Sequence, residues 1–222
     1  MSSQAVKRAF DVVVSALVLT LLAPLFLLVA IAVKLDSPGP VFFKQERVGR
    51  GGGLFRMIKF RTMVAGRHRP GPNVSAHSDP RVTRVGALLR RSFVDEAPQL
   101  INVLKGDMSL VGPRPETPEY ASLLSPAERR IFSVRPGMAG PSTLAYSRDE
   151  PAILAGQPDP DSYYRSHLLH ERVAVDLSYI ERPTLTEDIR ILWLTALYVF
   201  TGLTGLDFKH LRQGEFRYGH DG

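Results

Sequence analysis

The chain has 222 residues, enough for one domain with an adequate hydrophobic core, and a formal net charge of +6 at pH 7. The positive charge indicates an anionic partner, such as nucleic acid, anionic lipid or the phosphates of a nucleotide. The absence of cysteine excludes disulfides, thiolate metal sites and cysteine nucleophiles and fits a cytosolic face, and a mean hydropathy near zero argues against a multi-span membrane protein.

An uncharged stretch from Val12 to Val33 lies near the start of the chain. As a helix its roughly 22 residues would be about 33 Å long, enough to cross a bilayer. A cleaved signal peptide would have a shorter apolar core. Basic residues flank both ends, and the positive-inside rule would keep both flanks on the cytoplasmic face. A bend at Pro24 allows this, so the pattern favours a re-entrant helical hairpin, with a simple spanning helix as the alternative.

A β-hairpin is predicted next, from two apolar-rich runs, Val41 to Val48 and Leu54 to Arg61, around the glycines of Gly49 to Gly53. The glycines are not a Walker A loop, because no Gly-Lys-Ser/Thr follows them. Lys59 and Arg61 alternate with apolar residues, so both could face one side of the strand and bind a pyrophosphate. A solvated face is the alternative interpretation.

The segment from Val64 to Pro80 is rich in Gly, Pro, His and Ser and has no periodicity, which is typical of a long loop and a candidate lid. Apolar residues then recur at helical spacing from Val85 to Phe93, with arginines between them. This pattern predicts a basic amphipathic helix. Such a helix could pack on the core or lie on an anionic membrane surface.

An acid pair, Asp95-Glu96, stands at the centre of the most informative stretch. It follows Arg90 and precedes Pro98, and Gln99 to Lys105 has the composition of a short helix. Proline is favoured in the first turn of a helix, so the acids should lie at or just before a helix N-terminus, where free N–H groups can hold a phosphate. The alternative is that the acids only cap the helix.

Arg114 stands between Pro113 and Pro115, which would present its guanidinium rigidly to a second phosphate. The chain offers no cysteine and no identifiable Ser-His-Asp set, so a carboxylate is the best candidate nucleophile. Attack by a carboxylate on a diphosphate requires its negative charge to be neutralised by a divalent cation and by Arg or Lys side chains.

The stretch resembles the signature of the bacterial sugar transferases, which are monotopic phosphoglycosyl transferases. The matching residues are Leu89-Arg90-Arg91, Asp95-Glu96, Pro98-Gln99-Leu100 and the run from Asn102 to Pro115. The strings Ser37 to Phe42, Lys59 to Met63, Val134 to Gly140, Val175 to Tyr179 and Asp188 to Thr195 are also similar to the family. The family's Trp-Ala-Gln and Asn-Gly-Arg strings are missing between Pro141 and Tyr164, so the sugar stays open.

The resemblance implies transfer of a sugar 1-phosphate from a UDP-sugar to undecaprenyl phosphate, with release of UMP. Asp95 would be the nucleophile and Glu96 the Mg²⁺ ligand. The substrate phosphates would be bound by Lys59, Arg61, Arg90 and Arg114. Asp176 would orient one of these cations, and Pro113 and Pro115 would support Arg114. The resemblance also implies the re-entrant topology, although here the bend reads Ala23-Pro24 without the Ser often found before the Pro.

The predicted fold is mixed α/β and helix-rich, with a re-entrant hairpin, a small β-hairpin and amphipathic interfacial helices. A regular βαβ alternation is absent. We expect a membrane segment over 1–36, a catalytic region over 37–208 and a polar tail over 209–222. A second uncharged stretch, Ile191 to Leu206, is short for a span and should graze the bilayer.

The predicted location is the cytoplasmic face of the inner membrane, in contact with anionic lipids, with a homodimer as one option. A membrane-anchored nucleic-acid-binding module is a second hypothesis, which the charge suggests. It lacks a recognisable helix-turn-helix and an aromatic stacking platform, so we expect no nucleic acid partner. An inactive membrane scaffold is a third hypothesis, and the intact Asp95-Glu96 pair argues against it.

Overall fold

The computed structural model describes residues 3–64, 80–147 and 149–204. It confirms a helix-rich mixed α/β fold with a small antiparallel hairpin. The helices are α1 Ser3–Asp36, α2 Arg84–Arg91, α3 Gln99–Lys105, α4 Pro118–Leu123, α5 Pro141–Tyr146, α6 Glu150–Ala155, α7 Pro160–Tyr163, α8 Leu169–Glu181 and α9 Leu185–Thr204. The strands are β1 Phe42–Val48, β2 Leu54–Phe60, β3 Ser109–Val111 and β4 Gly137–Ala139. The candidate lid and the polar tail lie outside the described residues, apart from Val64 and Pro80.

Helix α1 is continuous over 34 residues and has Pro24 inside it. The predicted re-entrant hairpin with a bend at Pro24 is therefore not confirmed. It is the one helix among the described residues that is long and apolar enough to cross a membrane. Both of its ends contact the rest of the protein. Near the start, Arg8 donates to the carbonyl of Val103 at 2.7 Å. At the other end, Asp36 accepts from the backbone N–H of Val85 at 3.0 Å.

The predicted hairpin is present, with β1 and β2 antiparallel in a register that pairs Phe42 with Phe60 and Val48 with Leu54. Gly51 and Gly52 form the turn with φ values of 72° and 82°. Residues with a Cβ rarely adopt this left-handed conformation, and this is why the turn is made of glycine.

The core lies between β2, α3, the short parallel pair β3–β4 and helices α1, α8 and α9. Val103 and Met108 are fully buried in it. Helix α3 ends at Lys105 and is capped by Gly106, whose φ of 91° lets its backbone N–H donate to the carbonyls of Asn102 and Val103. The helix begins at Gln99, three residues after Glu96, and so directly follows the acid pair.

Two helices that were expected at the membrane surface have mixed environments. Helix α2 buries Leu89 against Val29 and Val33 of α1 while Leu88 is exposed. Helix α9 buries Ile191 completely but leaves 64% of Trp193 exposed. Both therefore pack on the body with one face and present apolar side chains on the other.

Candidate active site

The acid pair lies in a 3₁₀ turn, Val94–Glu96, immediately before α3. The chain enters this turn through Phe93, whose φ of 56° is uncommon for a residue other than glycine. The Phe93 ring packs against Tyr198 of α9, with ring centroids 5.2 Å apart. The two carboxylates are therefore held on a constrained turn, in the position that the sequence predicted.

Strand β2 brings Lys59 to Glu96, with Nζ 2.6 Å from Oε1. Asn102 of α3 fixes this alignment. Its Oδ1 accepts from the backbone N–H of Ile58 at 3.0 Å, and its Nδ2 donates to the carbonyl of Arg56 at 2.8 Å. The Asn102 amide thus makes two hydrogen bonds to the backbone of β2, as a neighbouring strand would. These bonds join the strand to the helix that follows the acid pair. Asn102 lies in the motif that the sequence shares with the family it resembles, but no local pattern predicted this role.

The two neighbouring carboxylates have pKa values shifted in opposite directions. Burial raises the pKa of Asp95, the charge of Glu96 raises it further, and the charges of Lys59 and Arg90 oppose both. For Glu96, burial would raise the pKa, but the positive charges of Lys59 and Arg114 outweigh it and lower the pKa. Gln99 adds a hydrogen bond to the same carboxylate. Such divergence within an acid pair is typical of catalytic sites.

Arg114 is held through its backbone on both sides. Its N–H donates to Asp176 Oδ2 at 2.9 Å. The carbonyl of Pro113 accepts from the first residue of β4 at 2.8 Å, and the carbonyl of Pro115 accepts from Arg47 at 3.0 Å. The buried prolines therefore anchor the loop, and the half-buried Arg114 side chain is left to interact electrostatically with Glu96.

Asp176 is a buried residue of α8 and holds the Arg114 loop by this hydrogen bond. In addition to Arg114, it accepts from the backbone N–H of Ser142 at 3.1 Å and from its hydroxyl at 2.8 Å. Burial raises the pKa of Asp176 to about 6, although these hydrogen bonds oppose the shift. Ser142 lies in the segment from Pro141 to Tyr164, where two strings of the family are missing. No local sequence pattern predicted its contact with Asp176.

The two remaining predicted phosphate ligands are placed differently. Arg90 on α2 donates from Nε to Thr62 Oγ1 at 2.9 Å, and its charge acts on Asp95. Arg61 is buried away from the acid pair, and its guanidinium donates to carbonyls at the end of α1 and just beyond it. These carbonyls belong to Val33, Ser37 and Pro38. The structure thus brings Arg90 to the site but places Arg61 at the end of α1.

A pocket opens beside the acid pair and is lined by Lys59, Glu96, Gln99, Arg114 and Thr143, among other residues. In the described part of the chain, no group of three or more His, Cys, Asp or Glu side chains could hold a metal ion. Mg²⁺ is commonly bound by one or two carboxylates together with substrate phosphates. The carboxylate of Glu96 therefore fits a cation that protein and substrate hold jointly.

The profile of the Bacterial sugar transferase family matches residues 2–202. The chain belongs to this family. It is therefore a transferase, and the resemblance seen in its motifs is confirmed.

Named relatives cover most of the chain. It is 41% identical over 198 residues to a UDP-glucose:undecaprenyl-phosphate glucose-1-phosphate transferase of Caulobacter vibrioides, covering 88% of this chain and 70% of the relative. It is 40% identical to the exopolysaccharide production protein PSS of Rhizobium leguminosarum bv. phaseoli, covering 88% of this chain and 95% of the relative.

A third relative is named for a different sugar. It is the UDP-N-acetylgalactosamine-undecaprenyl-phosphate N-acetylgalactosaminephosphotransferase of Aeromonas hydrophila, which is 36% identical over 200 residues. The match covers 89% of this chain but only 44% of that relative. The shared region is thus common to relatives that are named for different sugars.

Proposed function

We propose that the protein transfers a sugar 1-phosphate from a UDP-sugar to undecaprenyl phosphate and releases UMP, as a first membrane step of glycan assembly. The observation that carries this proposal is the arrangement around Asp95. A buried carboxylate of raised pKa adjoins an ionised Glu96, and the cations Lys59, Arg90 and Arg114 surround the pair. The names of the relatives support the same substrates.

The ionised Asp95 carboxylate is the nucleophile. One of its oxygens bonds to the β-phosphorus of the UDP-sugar, and the bond from that phosphorus to the bridging oxygen breaks. The bridging oxygen leaves with UMP, and the sugar phosphate remains on Asp95 as an acyl phosphate. A phosphate oxygen of undecaprenyl phosphate then attacks the same phosphorus, which releases the carboxylate and forms a lipid diphosphosugar.

The surrounding residues stabilise and orient the charges of this reaction. Lys59 and Arg114 would hold phosphate oxygens as negative charge moves onto the leaving group, which is the largest contribution available to such a site. Arg90 helps to keep Asp95 ionised. Glu96 would hold Mg²⁺ together with the substrate phosphates, and the cation would neutralise the diphosphate. Asp176 would keep the Arg114 loop in place.

We also propose that α1 enters only the cytoplasmic leaflet of the inner membrane and does not cross the bilayer. The acid turn lies between α2 and α3, which contact the later and earlier parts of α1. A straight helix of this length would be about 51 Å long, yet both ends contact one folded body. A helix crossing the bilayer would place its polar ends on opposite sides. The contacts therefore favour a re-entrant or in-plane helix, which would hold Asp95 at the level of the lipid phosphates.

The activity is tested by measuring UMP release from a panel of UDP-sugars with a short polyprenyl phosphate. We expect release with at least one sugar, dependent on the acceptor and lost in Asp95→Asn. No release with any sugar would contradict the proposal. Release that persists in Asp95→Asn would leave the reaction class in place and move the nucleophile elsewhere, to Glu96 first.

The topology is tested separately, and the absence of natural cysteine makes the test clean. Single variants Ala5→Cys and Lys44→Cys flank the apolar stretch. A membrane-impermeant maleimide should label both from the cytoplasmic side in inverted membrane vesicles. Labelling from opposite sides would show that α1 crosses the membrane.

A further inference from the structure

A second pocket of about 110 Å³ lies at the first turns of α1, and none of Lys59, Asp95, Glu96 and Arg114 lines it. The charged residues in its lining are Lys7, Arg8, Asp11, Arg50, Arg135 and Asp188. The proposed transfer reaction uses none of them.

The two acids of this pocket are already engaged. Asp188 pairs with Lys7 at 2.5 Å and accepts from the Tyr179 hydroxyl. Asp11 accepts from the Ser109 hydroxyl at 2.8 Å and from a backbone N–H of β3. Neither carboxylate forms an ion pair with any of the three arginines, although the charge of Asp11 acts on Arg135.

The three arginines, Arg8, Arg50 and Arg135, line the same pocket, and none of them forms an ion pair with a carboxylate of a described residue. Arg8 donates to two backbone carbonyls at the end of α3, and Arg135 donates to the carbonyl of Gly106 at 2.8 Å. Burial lowers the pKa of Arg135, the charges of Arg8 and Arg50 lower it further, and the charge of Asp11 opposes them without reversing the shift. Guanidinium groups that line one pocket and keep some N–H donors unused are suited to a phosphate.

The position of the pocket indicates the source of that phosphate. Its wall includes the residues just before the uncharged stretch of α1 and the first residue of α9. Both helices expose large apolar side chains, including Leu17, Leu21 and Trp193. Apolar residues, Val111, Ile180 and Leu185 among them, form other parts of the wall. A cationic pocket with apolar walls, at the entrance to a membrane helix, suits an amphiphile better than a soluble ion.

We propose that this pocket binds the phosphate of an anionic phospholipid through Arg8, Arg50 and Arg135, with the start of the acyl region against the apolar wall. This site is separate from the sugar-phosphate transfer and does not depend on it. A bound lipid would join the first turn of α1 to the β-hairpin and the start of α9, and so would help to fix the depth of the body at the membrane.

The test is native mass spectrometry of the full chain, released from nanodiscs that contain dioleoyl phosphatidylglycerol or dioleoyl phosphatidylcholine. The wild type should retain a phosphatidylglycerol adduct and no matching phosphatidylcholine adduct. Because a basic residue near an anionic lipid surface contributes about 1 kcal/mol, each arginine removed should weaken retention about fivefold. The variants are Arg50→Gln and the double variant Arg50→Gln with Arg135→Gln. The matched control is Arg56→Gln, an exposed arginine on the same hairpin.

Retention of phosphatidylglycerol by both variants at the level of Arg56→Gln would overturn the proposal. Equal retention of phosphatidylcholine by the wild type would show that charge is not recognised and would also overturn it. Displacement of the lipid by millimolar inorganic phosphate would assign the pocket to a soluble anion instead. If the double variant fails to fold, Arg50→Gln alone decides, since the Arg50 guanidinium makes no hydrogen bond to a described residue.

Discussion

The ammonium group of Lys59 lies 2.6 Å from a carboxylate oxygen of Glu96, and this contact joins strand β2 to the turn that carries Asp95. The pair is partly open to solvent, with 21% and 31% of the two side chains exposed. Exposed or half-exposed ion pairs contribute little to stability. We therefore attribute the pair to the chemistry of the site: it keeps Glu96 ionised and places a cation beside Asp95.

The first prediction concerns Lys59→Gln. This change should lower kcat/KM for UMP release by about 100-fold, because it removes a cation from the position where charge develops. The thermal unfolding midpoint should hardly change. The control is Lys44→Gln on β1, whose side chain is exposed. Wild-type kinetics in Lys59→Gln would show that the ion pair is only structural.

The second prediction concerns the pH dependence of the rate. The raised pKa of Asp95 means that the carboxylate becomes protonated, and the rate falls, at a higher pH than for an ordinary aspartate. The charge of Arg90 lowers this pKa, so Arg90→Gln should move the acid limb of kcat/KM to still higher pH. The measurement is a pH profile at constant ionic strength, with Arg91→Gln as the exposed neighbouring control. An acid limb that stays in place or moves to lower pH would contradict the assignment.

The third prediction concerns Asp176→Asn. An amide cannot accept from all three donors that contact this carboxylate, so we expect the unfolding midpoint in nanodiscs to fall by roughly 5 °C. The loop of Arg114 should loosen, with a fall in kcat/KM. Ser142→Ala removes only the hydroxyl donor and should give a smaller loss of both.

The same carboxylate has a pH signature in stability. Its folded pKa of about 6 lies above the unfolded value, so the folded state binds the extra proton between about pH 4 and 6. This contribution to stability is present below about pH 4 and is lost as pH rises to 6. The midpoint difference between wild type and Asp176→Asn should shrink across this window and stay constant above pH 7. A difference that grows with pH would have the wrong sign.

The fourth prediction distinguishes the two roles considered for Arg61. Its guanidinium donates to carbonyls at the end of α1, and hydrogen bonds from charged groups contribute about 1.5–3 kcal/mol each. Arg61→Gln removes these hydrogen bonds and should therefore lower the thermal unfolding midpoint by several degrees. The KM for the UDP-sugar should be unchanged. A raised KM with an unchanged midpoint would restore the predicted phosphate-binding role.

Local sequence signals predicted the parts of the site that depend on neighbouring residues. The glycines between two apolar runs predicted the β-hairpin, and the composition of Gln99 to Lys105 predicted α3. The acid pair was placed before that helix because Pro98 marks its start. Each of these features follows from the conformational preferences of a few adjacent residues.

The contacts that were missed join residues far apart in the chain. Alternation along β2 predicted that the side chains of Lys59 and Arg61 would lie on the same side of the strand. The strand ends at Phe60, however, and the Arg61 guanidinium donates to the carbonyl of Val33, 28 residues earlier in the chain. Strands β3 and β4 have three residues each, too few for a readable period. The link from Ser142 to Asp176 joins two segments that no local pattern relates.

The most direct test of the central proposal is covalent trapping. The protein is incubated with a UDP-sugar labelled in the β-phosphate, without the polyprenyl acceptor, and is quenched and separated from free nucleotide. We predict one label per chain in the wild type, discharged by added acceptor, and no label in Asp95→Asn. Label that persists in Asp95→Asn, or a wild type that releases UMP without ever becoming labelled, would contradict an aspartyl intermediate at residue 95.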